Sequence, residues 1–166
     1  GRRKQAFLQL AMAQPAMVST TLLRNVPLFA HLDEQQLGVL ARAMVRKSVG
    51  RNAKIIGAGD PTDSLYIVIN GRLKVLMSDE QGREVILSIL GPGEFFGEMG
   101  LLDDSPRSAS VVTLEACELL SISKTEFKRS LAENSDLSLM VMRGLVKRLR
   151  EADRKIGILA LMDVYG

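Results

Sequence analysis

The chain of 166 residues is 46% hydrophobic, carries a net charge of +3 and contains one cysteine and one histidine. That length can bury one hydrophobic core plus an additional element, while a single cysteine excludes an internal disulfide and fits a reducing compartment. No apolar run approaches the ~18 residues that span a bilayer, so the sequence predicts a soluble, cytoplasmic protein with no membrane partner.

The first 17 residues carry the whole of the net charge. Arg2, Arg3 and Lys4 account for it, so composition gives no reason to expect nucleic-acid binding by the rest of the chain. The apolar stretch that follows has the outline of a signal peptide, but it is short and is interrupted by Gln9. We interpret residues 1–17 as a cloning remnant or a disordered tail.

The regular pattern begins with one helix. Asp33 is a suitable N-cap, and a packing loop at residues 27–29 precedes it. Apolar residues then recur on one helical face, at Leu37, Leu40, Ala41 and Met44.

Short runs with a period of two follow this helix. The predicted strands are residues 54–56, 65–69, 72–77, 84–90, 109–112 and 118–122. Asn70-Gly71 is typical of a two-residue hairpin, and residues 79–82 predict a longer turn. Short antiparallel strands at this spacing favour an α+β fold built on a jelly roll, with flanking helices and a helical interruption between two strands.

Two further helices are predicted at the carboxyl end. Ser123 caps a short helix over residues 124–132, and a long helix begins at Asn134 or Ser135. The long helix has a heptad stripe, which predicts a parallel two-stranded coiled coil and hence a homodimer. The alternative is that the stripe packs only against its own subunit. The stripe consists of Met142, Leu145, Leu149, Ala152, Ile156 and Leu159.

The segment from residue 91 to residue 110 carries the most informative chemistry. Gly97 and Gly100 allow the backbone to approach a ligand, and the amides that open the turn after Gly97 can donate to an anion. Glu98 can only accept hydrogen bonds, which suits a ribose hydroxyl. Arg107 offers a fork of donors that matches two phosphate oxygens, with the Ser108 hydroxyl beside it. These residues predict a pocket for a sugar that bears a singly charged phosphodiester.

An alternative interpretation needs no ligand. The glycines at residues 91–100 could form a hairpin corner, and Arg107 could be a surface ion-pair partner of Asp103 or Asp104.

The same motif also supports a family assignment. Gly97-Glu98 followed by Arg107-Ser108-Ala109 resembles the phosphate-binding cassette of cyclic-nucleotide-binding domains. The resemblance extends from residue 22 to residue 166, and over this length the chain is similar to bacterial transcription regulators of the catabolite-activator type. It implies ligand contacts at Gly97, Glu98, Met99, Gly100, Arg107, Ser108, Ala109, Leu87, Arg148, Ala152 and Asp153.

The resemblance also implies a domain organisation and partners. Residues 18–133 would form the ligand-binding jelly roll, and residues 134–166 the dimerisation helix and hinge. In the family a winged helix-turn-helix follows, which these residues do not include. DNA and RNA polymerase are therefore expected as partners only through that absent domain. Ligand would act by repositioning the helix pair.

Cyclic AMP is the effector that the resemblance favours, with no cofactor or metal. Ala152 and Asp153, however, stand where cyclic-AMP regulators of this type carry a Thr-Ser pair that holds the adenine. Asp153 could instead select guanine, whose Watson–Crick edge offers two adjacent donors, or form an exposed ion pair. The cassette would also suit a regulatory domain of a channel or kinase, or a family member that senses cyclic GMP, a cyclic dinucleotide or haem.

The sequence lacks the residues that an enzyme on this fold would need. A jelly-roll enzyme of the cupin type needs several histidine ligands, and His31 is the single histidine. An iron–sulfur sensor needs several cysteines, and Cys117 lies in an apolar run typical of a core residue. The sequence therefore predicts a protein that is not an enzyme.

Overall fold

The computed structural model describes residues 18–61, 63–98, 103 and 106–165. The predicted tail at residues 1–17 and the predicted ligand contacts Met99 and Gly100 lie outside this part of the chain.

Two short helices and a 3₁₀ turn open the described chain. They are α1 (Thr20–Arg24), the turn at Pro27–Phe29 and α2 (Glu34–Ala43). Asp33 caps α2 as predicted, because its Oδ1 accepts a hydrogen bond from the Gln36 amide at 2.8 Å and the Gln36 Oε1 accepts one from the Asp33 amide at 2.9 Å. Met44 does not belong to the helix as predicted, since it is already the first residue of a strand.

The strands of the described residues form two four-stranded antiparallel sheets. One has the order β1-β8-β3-β6 and the other β2-β7-β4-β5. This arrangement, with its flanking helices, confirms the predicted α+β jelly roll. The sequence patterns missed β1, which is mostly exposed, and β6, which has two residues. The strands are β1 (Met44–Val49), β2 (Lys54–Ile56), β3 (Ser64–Asn70), β4 (Leu73–Ser78), β5 (Glu84–Leu90), β6 (Phe95–Phe96), β7 (Ser110–Thr113) and β8 (Cys117–Ser123).

The Asn70-Gly71 turn does not close a hairpin, so this prediction was wrong. Strands β3 and β4 on either side of it lie in different sheets, and the turn carries the chain from one sheet to the other. The β4–β5 hairpin is closed as predicted by the turn after Ser78, where the Asp79 amide donates to the Arg83 carbonyl at 2.8 Å.

Substitution of Gly71 by alanine is expected to destabilise the fold strongly. Gly71 has φ of +91°, and a Cβ there would lie 2.5 Å from Cys117 Sγ and 2.6 Å from the Ala116 carbonyl. The left-handed backbone and the collision together should cost roughly 2–4 kcal/mol in the free energy of unfolding, measured by urea denaturation. Gly82→Ala is the matched control, because Gly82 has φ of +80° with open space around it. Equal losses in the two variants would contradict this account.

The carboxyl-terminal helices complete the core. Helix α3 (Lys124–Glu133) is capped by Ser123 as predicted, and α4 (Ser135–Tyr165) is the long helix. The first two turns of α4 pack against the barrel through the buried Leu137 and Val141. Beyond them, contact with the barrel continues through Leu145, Arg148 and Lys155. None of the described helices is both long and apolar enough to cross a bilayer.

The exposed apolar stripe of α4 differs from the predicted seam. Leu145, which the sequence placed in the seam, is half-buried against the core of its own subunit. The barrel sits against the side that carries Leu137, Val141 and Leu145, and this leaves a neighbouring side of the helix free. We call that free side the outer face; its apolar residues, between 43% and 64% exposed, are Leu139, Met142, Val146, Leu149 and Ile156.

Candidate functional site

A cavity of about 520 Å³ lies between the sheet β2-β7-β4-β5 and helix α4. Its volume falls within the roughly 300–1,000 Å³ of ligand sites. Asp153 does not line it, because this residue lies on the outer face of α4, four residues after Leu149. The structure does bring eight of the predicted contacts together around this cavity: Leu87, Gly97, Glu98, Arg107, Ser108, Ala109, Arg148 and Ala152.

Arg107 is buried beneath the cavity, with 7% of its surface exposed. Its Nη1 donates to the Gly97 carbonyl at 2.6 Å and its Nη2 to the Ser64 carbonyl at 2.6 Å. The Asp63 carboxylate, which is largely exposed, lies 3.9 Å from Nη2. A buried guanidinium held in this way contradicts the interpretation of Arg107 as a surface ion-pair residue.

A short loop before β3 fixes the backbone of Arg107. The Gly59 amide donates to the Arg107 carbonyl at 2.7 Å, and the Arg107 amide donates to the Asp60 carbonyl at 2.9 Å. The Asp60 carboxylate in turn accepts from the Gly57 amide at 2.9 Å. The sequence analysis did not assign these residues to the site. The sequence signal for this loop is its turn of glycine and aspartate residues, in which the Asp60 side chain accepts a hydrogen bond from the backbone of the same turn.

Gly97 is required by the packing of Arg107. It has φ of +88°, and a Cβ would lie 2.6 Å from the Arg107 Nη1 and 3.1 Å from the Ser64 carbonyl. The glycine therefore lets the guanidinium pass directly beneath the cassette.

Glu98 is paired with Arg148 of α4. Glu98 is 5% exposed, and its Oε1 accepts a hydrogen bond from Arg148 Nη1. Arg148 Nη2 donates to the Phe95 carbonyl, and the guanidinium lies 4.3 Å above the Phe95 ring. The buried carboxylate thus has a charged partner, as it requires. This contact ties the cassette to the long helix through Arg148, one of the predicted ligand contacts.

Phe96 provides the floor of the cavity. Its ring stacks on Tyr66, with the centroids 5.1 Å apart and the planes inclined by 12°. Burial raises the pKa of the Tyr66 hydroxyl, and the negative charge of Asp63 raises it further. Tyr66 is therefore a neutral packing residue at physiological pH.

Two residues of α4 that were not predicted also line the cavity. Glu151 and Lys155 lie three and seven residues after Arg148, so all three share a helical face with Ala152. The Nζ of Lys155 donates to the Leu87 carbonyl at 3.4 Å, which links α4 to β5. Counting helical positions from Arg148 would have revealed both residues.

Cys117 is a core residue, as its apolar context predicted. Its thiol is buried, and burial raises the pKa of the thiol. Its Sγ lies 3.4 Å from the Arg72 carbonyl, within hydrogen-bond distance. Among the described residues, no three His, Cys, Asp or Glu side chains are grouped so as to hold a metal ion.

The family model that describes the cyclic nucleotide-binding domain matches residues 46–134. The chain belongs to the cyclic nucleotide-binding domain family. This match covers the barrel and the cassette. Within the family, the predicted likeness to regulators of the catabolite-activator type is confirmed by the following relatives.

Curated relatives of this cyclic nucleotide-binding domain include transcription regulators. It is 34% identical to the cAMP-activated global transcriptional regulator Vfr of Pseudomonas aeruginosa, over 86% of this chain and 66% of that protein. It is 39% identical to the cAMP-activated global transcriptional regulator CRP of Haemophilus influenzae, over 68% of this chain and 50% of that protein. The chain therefore spans between half and two thirds of these curated relatives.

A solved structure shows the same architecture. The Thermus thermophilus catabolite activator protein superposes with a TM-score of 0.71 at 33% identity, covering 81% of this chain and 63% of that one. The likeness includes the flanking helices as well as the barrel.

Proposed function

We propose that this chain is the ligand-sensing and dimerisation region of a transcription regulator that binds a cyclic nucleotide, with cyclic AMP as its effector. The observation that carries the proposal is the placement of buried Arg107 and buried Glu98 on one cavity. The names of the relatives, which describe cAMP-activated regulators rather than enzymes, support it.

The two buried charged residues, Arg107 and Glu98, bind different parts of the ligand. Arg107 has five N–H donors, and two are used by the Gly97 and Ser64 carbonyls, which leaves three for phosphate oxygens. The Ser108 hydroxyl lines the same end of the cavity. Glu98 uses one carboxylate oxygen for Arg148, and its other oxygen can accept from the ribose 2′-hydroxyl. One cation facing one phosphodiester charge suits a cyclic monophosphate.

Arg148 couples the bound ligand to helix α4. A ribose hydroxyl that binds Glu98 competes with or reorients the Glu98–Arg148 pair, and Arg148 lies on α4. The ligand therefore shifts an equilibrium between two positions of α4, provided that it binds one of them more tightly. In this proposal residues 18–133 bind the ligand, and residues 134–166 form the dimerisation helix and hinge. DNA and RNA polymerase would be contacted by a following domain.

A regulatory domain of a kinase or channel remains the second candidate, because it would use the same cassette. The likeness to transcription regulators across the barrel and into α4 favours the first.

The proposal is tested by calorimetric titration of the purified chain with cyclic AMP, cyclic GMP, a cyclic dinucleotide and haem. We expect one cyclic AMP to bind per subunit and to bind more tightly than the other three. Mass spectrometry of the ligand released from denatured protein checks for a nucleotide that already occupies the site. Absence of cyclic AMP binding in protein free of bound nucleotide would contradict the proposal.

A further inference from the structure

The cavity has a second end that the phosphate and ribose contacts leave unassigned. With phosphate at Arg107 and ribose at Glu98, the base must lie toward the lining formed by β4, β5 and the second half of α4. Val75, Leu87 and Ile89 give this end an apolar wall that suits the face of a purine ring. The polar groups at this end therefore select the edge of the base.

Glu151 is the acidic group that α4 contributes to this end. It lies on the same helical face as Arg148, but Arg148 is already engaged by Glu98 and by the Phe95 carbonyl. Within the described part of the chain, Glu151 makes no hydrogen bond or ion pair. Its carboxylate lines the cavity and can only accept hydrogen bonds.

Lys155 places a donor beside this acceptor, one helical turn further along α4. Its Nζ uses one N–H for the Leu87 carbonyl, 3.4 Å away, and two remain. Glu151 and Lys155 therefore present an acceptor next to a donor. Adenine offers the complementary pair, an amino donor next to the N7 acceptor, whereas the corresponding edge of guanine offers two acceptors.

We propose that Glu151 is the residue that reads the base, an inference that rests on the proposed function. Its carboxylate accepts a hydrogen bond from the 6-amino group of adenine, and Lys155 donates to the ring nitrogen beside that group. Ala152, where the resembled regulators carry a threonine, has no polar group to offer. Asp153 does not line the cavity of its own subunit, whereas Glu151 does.

The test compares two ligands that differ by the amino group alone. Cyclic AMP and the cyclic phosphate of purine riboside, which lacks the 6-amino group, are titrated into wild type, Glu151→Ala and Glu151→Gln. Because hydrogen bonds to charged groups are among the stronger ones, Glu151→Ala should weaken cyclic AMP by about tenfold and leave the purine riboside ligand nearly unchanged. Glu151→Gln should restore most of the loss, since the amide oxygen still accepts. Glu133→Ala, exposed at the end of α3, is the matched control.

Several results would overturn the inference. Equal losses for both ligands, no loss for either, or a preference for cyclic GMP that Glu151→Ala removes would each do so. Light scattering on the same samples shows whether Glu151 acts through the helix pair instead, since a change of mass with equal losses would assign it that role. If wild type binds none of these nucleotides, the proposed function itself fails. Cyclic AMP binding that depends on Arg107 and not on Glu151 overturns only the assignment of Glu151.

Discussion

Replacement of Arg107 by alanine is expected to weaken cyclic AMP binding by more than about tenfold, because charge-assisted hydrogen bonds contribute roughly 1.5–3 kcal/mol each. The same variant should also lose stability. The Arg107 side chain is 5% exposed and satisfies the Gly97 and Ser64 carbonyls, and an unpaired buried acceptor costs about 1–3 kcal/mol. Calorimetry for affinity and a thermal melt for Tm measure the two effects separately.

Two further variants isolate the contribution of Arg107 to binding. Arg107→Lys keeps the charge but loses the planar fork, so we expect an affinity between those of wild type and Arg107→Ala. Arg46→Ala removes an arginine that pairs with Glu118 on β8, away from the cavity, and should bind cyclic AMP as wild type does. If folded Arg107→Ala binds cyclic AMP as tightly as wild type, the assignment of the phosphate site is wrong.

The cassette could be predicted from the sequence because its chemistry is local. Gly97, Glu98 and Arg107 lie within eleven residues, and their types and spacing already specify a close backbone approach, an acceptor and a phosphate fork. The jelly roll was also predictable, since short apolar runs separated by turn residues recur along residues 54–122. Strand β6 was not, because two residues cannot show a period.

What the sequence could not show depends on which elements pack together. The Asn70-Gly71 turn has the composition of a hairpin, and the positive φ of Gly71 fits one, but β3 pairs with β8 and β6 rather than with β4. Likewise, Glu151 resembles any surface glutamate until α4 is placed against β5. Local residue types do not determine which distant strand is the neighbour.

The register of the coiled-coil seam depends on packing for a similar reason. Two heptad stripes share Met142, Leu149 and Ile156, and they differ in whether the intervening positions include Leu145 or Val146. Composition favours the first stripe, because the second would place Asp153 in the seam. Packing favours the second stripe, because the barrel contacts Leu145 and leaves Val146 exposed.

Leu149→Asp is expected to convert a dimer into a monomer. Leu149 is 63% exposed on the outer face, and in a parallel helix pair it would lie opposite its own copy. A carboxylate there is opposed by desolvation and by repulsion from the second carboxylate. Light scattering should give twice the chain mass of 18.2 kDa for wild type and the single mass for the variant.

Val146→Asp tests the outer face as the seam, because Val146 belongs to it and is absent from the stripe predicted by periodicity alone. We expect this variant to be monomeric as well, since Val146 is 47% exposed and lies one turn before Leu149. Val39→Asp, a similar change of an exposed aliphatic residue on α2, should stay dimeric and so exclude a general effect of added charge. A Leu149→Asp protein that remains dimeric at micromolar concentration would remove α4 as the dimer contact. A monomeric Leu149→Asp beside a dimeric Val146→Asp would instead place the seam on the side of Leu145, which would require α4 to move off the barrel when the dimer forms.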